Sequence, residues 1–220
     1  GGRVQRFNNH EFFKYSPQQI FGKLYLKNKT LAKRLSYFSA YLMGNELKDI
    51  GVDIDFSPVC DIFFQFGDDV IGDRAFSSDP KVVMDLSRRF CQGLRDSGII
   101  PVPKHFPGHG RSKKDTHKEI SIVDIDLKEL IKTDLIPFKI LNNESLVMLA
   151  HIIYSKIDNK VCTYSRTIIF EILRKRLNFK GLVLSDDISM KALSGQFEEK
   201  ILNSYKGGCD IILYCSGNLK

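Results

Sequence analysis

Two imidazoles and an ammonium lie within Lys104-His105-Phe106-Pro107-Gly108-His109-Gly110, and Asp115-Thr116-His117 follows closely. An imidazole has an ordinary pKa of roughly 6.5, so it takes up and releases a proton near neutral pH. In an extended loop, side chains two apart share a face, so Asp115 can accept a hydrogen bond from the ring of His117 and orient it. Farther on, Asp186 and Asp187 stand directly after Leu182-Val183-Leu184-Ser185. A carboxylate at the end of an apolar strand can serve as a nucleophile or as the cap of the next helix. His105, His109, Asp115 and His117 are also zinc ligands by type. His105 and His109, however, are separated by Pro107 and Gly108, so they do not share a helical face as the histidines of H-E-x-x-H do. A surface loop with solvated Asp115 and His117 is the plainest alternative.

The elements that must position these groups follow from the surrounding pattern. Pro107, Gly108 and Gly110 stop any helix through the motif. The run 99–104 therefore reads as a strand ending in a sharp polar loop, and similar strands read at 52–59, 146–150, 182–184 and 209–214. Ser16 and Pro17 open a first helix as N-cap and N1. A second covers about 30–50, with Leu31, Leu35, Phe38, Leu42 and Leu47 as its apolar residues. Asp79 and Pro80 start a third, with Val82, Val83, Leu86, Phe90 and Leu94 on one face. Others start near Asp126 and Ser165, and a last lies near 197–206; Gly51 and Gly98 end the second and third. Continuous apolar strands alternating with helices indicate a parallel sheet buried on both faces.

The expected fold is α/β, a TIM-type (β/α) barrel. Five strands are read where a full barrel has eight. The expectation is therefore a single domain over 1–220 that is incomplete, lacking the first strand or strands and the C-terminal strand and helices. Barrels gather polar residues at the C-terminal ends of their strands into one mouth. Asp61, Lys104 with His105, His151 and Asp186 hold such positions. An open doubly wound sheet is the alternative, but no G-x-G-x-x-G supports a nucleotide site.

The chain has 220 residues, 43% hydrophobic and 27% charged, which is ordinary for a globular domain. No apolar run approaches the roughly 18 residues of a membrane span. The formal charge is +7, but Lys and Arg are spread along the chain and mixed with acids. That pattern fits a solvated surface rather than a nucleic-acid stripe, with attraction of an acidic substrate as the second reading. Cys60, Cys91, Cys162, Cys209 and Cys215 form no C-x-x-C pair and sit mostly in apolar runs, as reduced, buried cysteines of a cytoplasmic protein do.

Four stretches together carry a resemblance. They are Gly1-Gly2-Arg3-Val4-Gln5-Arg6-Phe7, Ile71-Gly72-Asp73-Arg74-Ala75-Phe76, the Lys104–Gly110 motif with Asp115-Thr116-His117, and Gly181-Leu182-Val183-Leu184-Ser185-Asp186-Asp187-Ile188-Ser189-Met190. In this order the chain resembles the glycoside hydrolase family 3 β-N-acetylhexosaminidases of the NagZ type. The resemblance implies a retaining exo-β-N-acetylglucosaminidase acting on peptidoglycan fragments, the anhydro-muropeptides, in cell-wall recycling. It implies a carbohydrate substrate, with no cofactor, no metal, no nucleic acid and no membrane.

By the same resemblance Asp186 is the nucleophile, with Asp187 as its rival. His117 is the acid/base where most glycosidases use a second carboxylic acid, and Asp115 orients it. Arg6, Arg74, Lys104 and His105 hold the sugar. The loop containing Arg111, Ser112, Lys113 and Lys114 is expected to be mobile and to close over the sugar. The family's D-Q-E or D-H-E sequence, whose Asp grips the sugar, does not precede Arg6 here. A catalytically impaired sugar-binding fragment, another family 3 β-glycosidase and a zinc hydrolase are the alternatives.

Overall fold

The computed structural model describes residues 2–7 and 11–217; Gly1 of the first motif lies outside them. Among these residues are the short strands β1 (Ile54–Asp55), β2 (Ile100–Pro101), β3 (Ser121–Val123), β4 (Leu146–Met148), β5 (Ile152–Tyr154) and β6 (Leu182–Leu184). The helices are α1 (Gln19–Tyr25), α2 (Lys29–Asp49), α3 (Pro80–Asp96), α4 (Leu127–Lys132) and α5 (Phe197–Gly207), with a π-helix at Thr167–Arg176. Among the described residues, no helix is long and apolar enough to cross a membrane.

The strands join in chain order and in parallel. Ile54 pairs with Ile100, Val59 bridges Lys104, Phe106 bridges Leu149, Leu146 pairs with Leu182, and Leu184 bridges Ile211. The α/β expectation holds. The five sequential segments form an arc, and no closed barrel is present among the described residues.

Alternation along the strands divides the apolar side chains into two layers. Val147, Leu149 and Val183 pack with Phe106, Phe138, Ile168, Ile172 and Leu173 against the helices. Leu146, Met148 and Leu184 pack with Val102, Phe56 and Leu213 on the opposite side of the arc. β3 and β5 form a further parallel pair, Ser121 opposite Ile152, that the sequence reading missed. Each is only three residues long, too short for a period to declare itself. The strand expected at 209–214 contributes a single bridge at Ile211, because the Asp210 side chain takes the Val183 amide at 2.8 Å in place of a longer ladder.

Local capping follows the sequence closely. Asp79 accepts from the Lys81 amide at 2.8 Å with Pro80 at the first turn, Asp126 from Glu129 at 2.8 Å, and Ser165 from Ile168 at 3.0 Å. Gly51 and Gly98 end α2 and α3 at φ of +83 each, where a side chain is strained. Ser16 is not a cap: α1 begins at Gln19 and its N-cap position, Gln18, makes no side-chain cap bond. The Gln18 carboxamide instead accepts from the Val59 amide, tying the helix start to the end of the first strand segment.

The larger correction concerns α2. Leu31, Leu35, Phe38 and Leu42, expected to be its apolar contact residues, are exposed; the buried residues are Ala32, Ser36, Ala40, Met43 and Gly44. Small residues let the backbones of α2 and α3 approach closely. A Cβ on Gly93 of α3 would lie 2.3 Å from the Tyr37 carbonyl oxygen, and Ser36 donates to the Leu86 carbonyl at 3.0 Å. The facing side of α3 is the expected one, with Val82, Val83, Leu86, Phe90 and Leu94 all buried. Leu86→Ala is expected to lower the unfolding free energy by about 2–5 kcal/mol, as cavity-forming core truncations do. Leu35→Ala, at a side chain 42% exposed, is expected to cost less than about 1 kcal/mol. Urea unfolding of the two variants checks this, and equal losses would contradict the α2 orientation.

Candidate active site

The strand ends deliver polar groups to one side of the arc. Alternation places Lys104 on the face of Val102 and Asp186 on the face of Leu184, both members of the inner apolar layer. Beyond that layer the side chains open into a cavity of about 810 Å³. Arg6, Arg74, Lys104, His105, His117 and Asp186 all line it, so six of the seven expected site residues meet there, with Asp187, the rival carboxylate, beside them. The seventh, Asp115, touches the cavity through His117.

The motif after β2 is held from beneath by one carboxylate. Asp61, 1% exposed, accepts from the His109 amide at 2.7 Å and the His105 amide at 3.2 Å, and its second oxygen lies 2.6 Å from His105 Nδ1. With Asp61 accepting, His105 is protonated at Nδ1 and its Nε2 is left as an acceptor. Tyr154 donates its hydroxyl to the Gly108 carbonyl at 2.7 Å. A Cβ on Gly110 would sit 1.8 Å from the Ile62 carbonyl oxygen, so the loop packs directly on the backbone after Asp61. The Lys104–His105 and Phe106–Pro107 peptides are cis.

The two adjacent carboxylates separate clearly. Asp187 accepts from the Ser189 amide at 2.9 Å, the Ser189 hydroxyl at 2.5 Å and the Cys215 amide at 3.1 Å, so it is consumed in a turn. Among the described residues, the Asp186 side chain accepts only from the Asp187 amide, at 2.8 Å. His151, also expected at the mouth, is fully buried beneath it: Nδ1 lies 2.7 Å from the Thr163 hydroxyl and Nε2 lies 3.1 Å from the Asp187 carbonyl oxygen. It is a bonded core histidine.

Asp115 and His117 do meet, with His117 Nδ1 2.8 Å from Asp115 Oδ1. The route differs from the extended loop expected. The same oxygen accepts the His117 amide at 3.0 Å, and the Asp115 carbonyl accepts from the amides of Lys118 and Glu119, so the pair sits in a tight turn. Donation from Nδ1 to Asp115 leaves Nε2 as the nitrogen free to exchange a proton. Arg74, in a 3-10 turn at Gly72–Arg74, donates to the Val70 carbonyl at 2.8 Å and lines the cavity, while Arg6 reaches it from the exposed N-terminal segment.

Burial and charge set the protonation states. Burial alone would raise the Asp186 pKa, but its surroundings, the Lys104 ammonium and the Asp187 amide among them, outweigh burial and hold the carboxyl below its usual range. Burial lowers the pKa of His105, His109 and His151, His109 to about 4, so these rings are held neutral. Burial also lowers Lys104, with Arg74 adding to the shift, and lowers Arg74 itself. No group of three or more His, Cys, Asp or Glu is arranged to hold a metal ion among the described residues. Sequence reasoning places Asp61 at a strand end without a role, names Ser112 only as part of the mobile loop and Thr116 only within Asp115-Thr116-His117, and leaves Tyr154 and Ser121 unread. Only His109, inside the motif, carried a visible signal.

This constellation of strand ends and motifs can be set beside known proteins. The glycosyl hydrolase family 3 N-terminal domain matches the chain over residues 1–220. The chain belongs to glycosyl hydrolase family 3. A beta-hexosaminidase of Hydrogenovibrio crunogenus is 40% identical over 222 residues, which take in 98% of this chain and 61% of that protein. The beta-hexosaminidase of Bordetella pertussis is 40% identical over 223 residues, covering 100% of this chain and 63% of the relative. The crystal structure of native NagZ from Neisseria gonorrhoeae superposes with a TM-score of 0.91 at 33% identity, over 98% of this chain and 62% of that one. The same protein has been solved with N-trifluoroacetyl-D-glucosamine. The family 3 chain thus spans about three-fifths of the length of the curated relatives it matches.

The neutral histidines of this family 3 site make stability depend on acidity. His109 titrates at about 4 when folded and roughly 6.5 when unfolded. Above pH ~6.5 both states are neutral. As pH falls from there toward about 4, the unfolded chain binds more protons and stability is lost, by up to roughly 3 kcal/mol from His109. Asp61, whose pKa burial raises, acts with the opposite sign. The measurement is therefore a difference: the fall in urea midpoint between pH 7 and 4.5 is expected to be smaller in His109→Gln than in the unsubstituted chain, and an equal fall would contradict it.

Proposed function

We propose that the chain carries the catalytic site of a retaining exo-β-N-acetylglucosaminidase. The observation that carries this reading is the convergence of Asp186, His117 and the sugar-binding candidates Arg6, Arg74, Lys104 and His105 on one cavity. Asp186 attacks the anomeric carbon as the bond to the leaving oxygen breaks, and the His117 imidazolium gives that oxygen its proton from Nε2. Neutral His117 then takes a proton from water, whose oxygen displaces Asp186 with overall retention. Asp115 orients the ring through Nδ1. The depressed pKa of Asp186 keeps it ionised for attack. Lys104, Arg74, Arg6 and His105 Nε2 supply the donors and acceptor that sugar hydroxyls require.

The proposed substrate is a terminal β-linked N-acetylglucosamine on a peptidoglycan fragment, an anhydro-muropeptide, hydrolysed in the cytoplasm during cell-wall recycling. The beta-hexosaminidase names of the relatives and the N-trifluoroacetyl-D-glucosamine complex of Neisseria gonorrhoeae NagZ support the sugar. Five cysteines without a disulfide fit the reducing compartment. The arc is proposed to be part of a (β/α) barrel, with residues 1–220 belonging to its one domain. Sequential parallel segments, an inner side-chain layer and polar groups at the C-terminal strand ends support this.

Turnover of para-nitrophenyl N-acetyl-β-D-glucosaminide, with the first-released sugar identified by NMR as the β-anomer, is the expected result. Asp186→Ala is expected to lower kcat/KM by at least ~10³-fold, about 4 kcal/mol of transition-state stabilisation. His117→Ala is expected to lose ~10²- to 10⁴-fold. Turnover that survives Asp186→Ala would refute the assignment, and ligand binding without any turnover would favour a sugar-binding role.

A further inference from the structure

The turn that holds Asp115 and His117 is fastened at one interior point. Between Ser112 and Ser121, Thr116 is the only buried residue, at 1% exposure, and His117 beside it keeps a side chain 62% exposed. The Thr116 hydroxyl lies 2.9 Å from Nε2 of His109, itself 3% exposed. His109 is fixed in turn, its amide on Asp61 at 2.7 Å and its ring edge-on to His105 with centroids 5.4 Å apart. At the neck of the loop, Ser112 donates to the Ser121 hydroxyl at 2.7 Å, both buried, and the Ser112 amide reaches the His109 carbonyl at 3.0 Å. The loop is thus closed at its base and pinned at its middle, and the pin is the residue between the two members of the pair.

We propose that Thr116 is a positioning residue, whose hydroxyl docks on His109 and so sets where the His117 ring stands relative to Asp186. This rests on the acid/base reading of His117 given above. The surrounding residues from Lys113 to Ile120 gain little burial, so few other contacts hold the turn in register. His105 and Thr116 are then joined through Asp61 and His109, which ties the sugar-binding end of the cavity to the proton-transfer end. A hydroxyl both donates and accepts, so the link forms with either neutral tautomer of His109. Serine can reproduce it, and valine, with the same shape and no hydroxyl, cannot.

The test compares Thr116→Val, Thr116→Ser and His117→Ala on phenyl and dinitrophenyl N-acetyl-β-D-glucosaminides, with and without azide. Azide attacks the anomeric carbon of the glycosyl-Asp186 ester, forming a C–N bond and releasing the carboxylate without a general base. Thr116→Val is expected to lose ~10- to 100-fold in kcat on the phenyl substrate, as small misplacements of a catalytic group do, with KM little changed. Azide is expected to restore part of its turnover of the dinitrophenyl substrate, and Thr116→Ser to stay close to the unsubstituted protein. If Thr116→Val does not fold, Thr116→Ala replaces it with the same expectation. Unchanged kcat in the valine variant beside a crippled His117→Ala would overturn the positioning role alone. A loss in both kcat and KM that neither azide nor serine repairs would overturn it too, as damage to structure only. Full turnover by His117→Ala would overturn the acid/base reading, and the positioning role with it.

Discussion

The site depends on a carboxylate that never faces the cavity. Asp61 is almost fully buried, and burying an ionised carboxyl costs several kcal/mol unless it is well bonded. Here three donors converge on it, two amides and the Nδ1 of His105. They all come from the loop that follows β2, so satisfying Asp61 and shaping that loop are the same event. The result fixes the tautomer of His105, leaves its Nε2 as an acceptor, and stations His109 where the later turn can dock on it.

Around that anchor the electrostatics separate groups that look alike in the chain. Asp186 and Asp187 are neighbours, line the same cavity and both have lowered pKa values, yet Asp187 owes this to a turn that consumes its oxygens, while Asp186 owes it to the groups around the cavity. The five histidines divide in the same way. Of the four described in detail, three are buried and neutral, and one, His117, stands in the open on its Asp115 partner. Burial raises the cost of charge on an imidazole, so an exposed ring is the better suited to hold and release a proton. That contrast supports the proposed roles more strongly than the presence of histidines in a motif does.

Packing explains where the sequence reading failed. The large apolar residues of α2, at mixed spacings, looked like its contacts, but the helix buries Ala32, Ser36, Ala40 and Gly44 instead. Close backbone approach, with its many dispersion contacts, won over the larger leucine side chains. β3 and β5 escaped notice because three residues cannot show a period, and their pairing, Ser121 opposite Ile152, joins segments some thirty residues apart.

By itself the sequence determined the α/β class of the fold and most of the polar residues that stand beside one another at the strand ends. Continuous apolar runs, helix caps at Asp79, Asp126 and Ser165, and glycines ending α2 and α3 are local signals, because caps and turns are satisfied within a few residues. Tertiary structure alone decided which of two carboxylates is consumed in a turn, which face of α2 is buried, and that Asp61, His109 and Thr116 form one chain of hydrogen bonds. Those outcomes turn on burial and on partners far apart in sequence, Asp61 on His105 and His109, Ser36 on Leu86, His151 on Asp187. Desolvation and long-range hydrogen bonding exist only once the strands have been brought side by side, so no local pattern in the chain announces them.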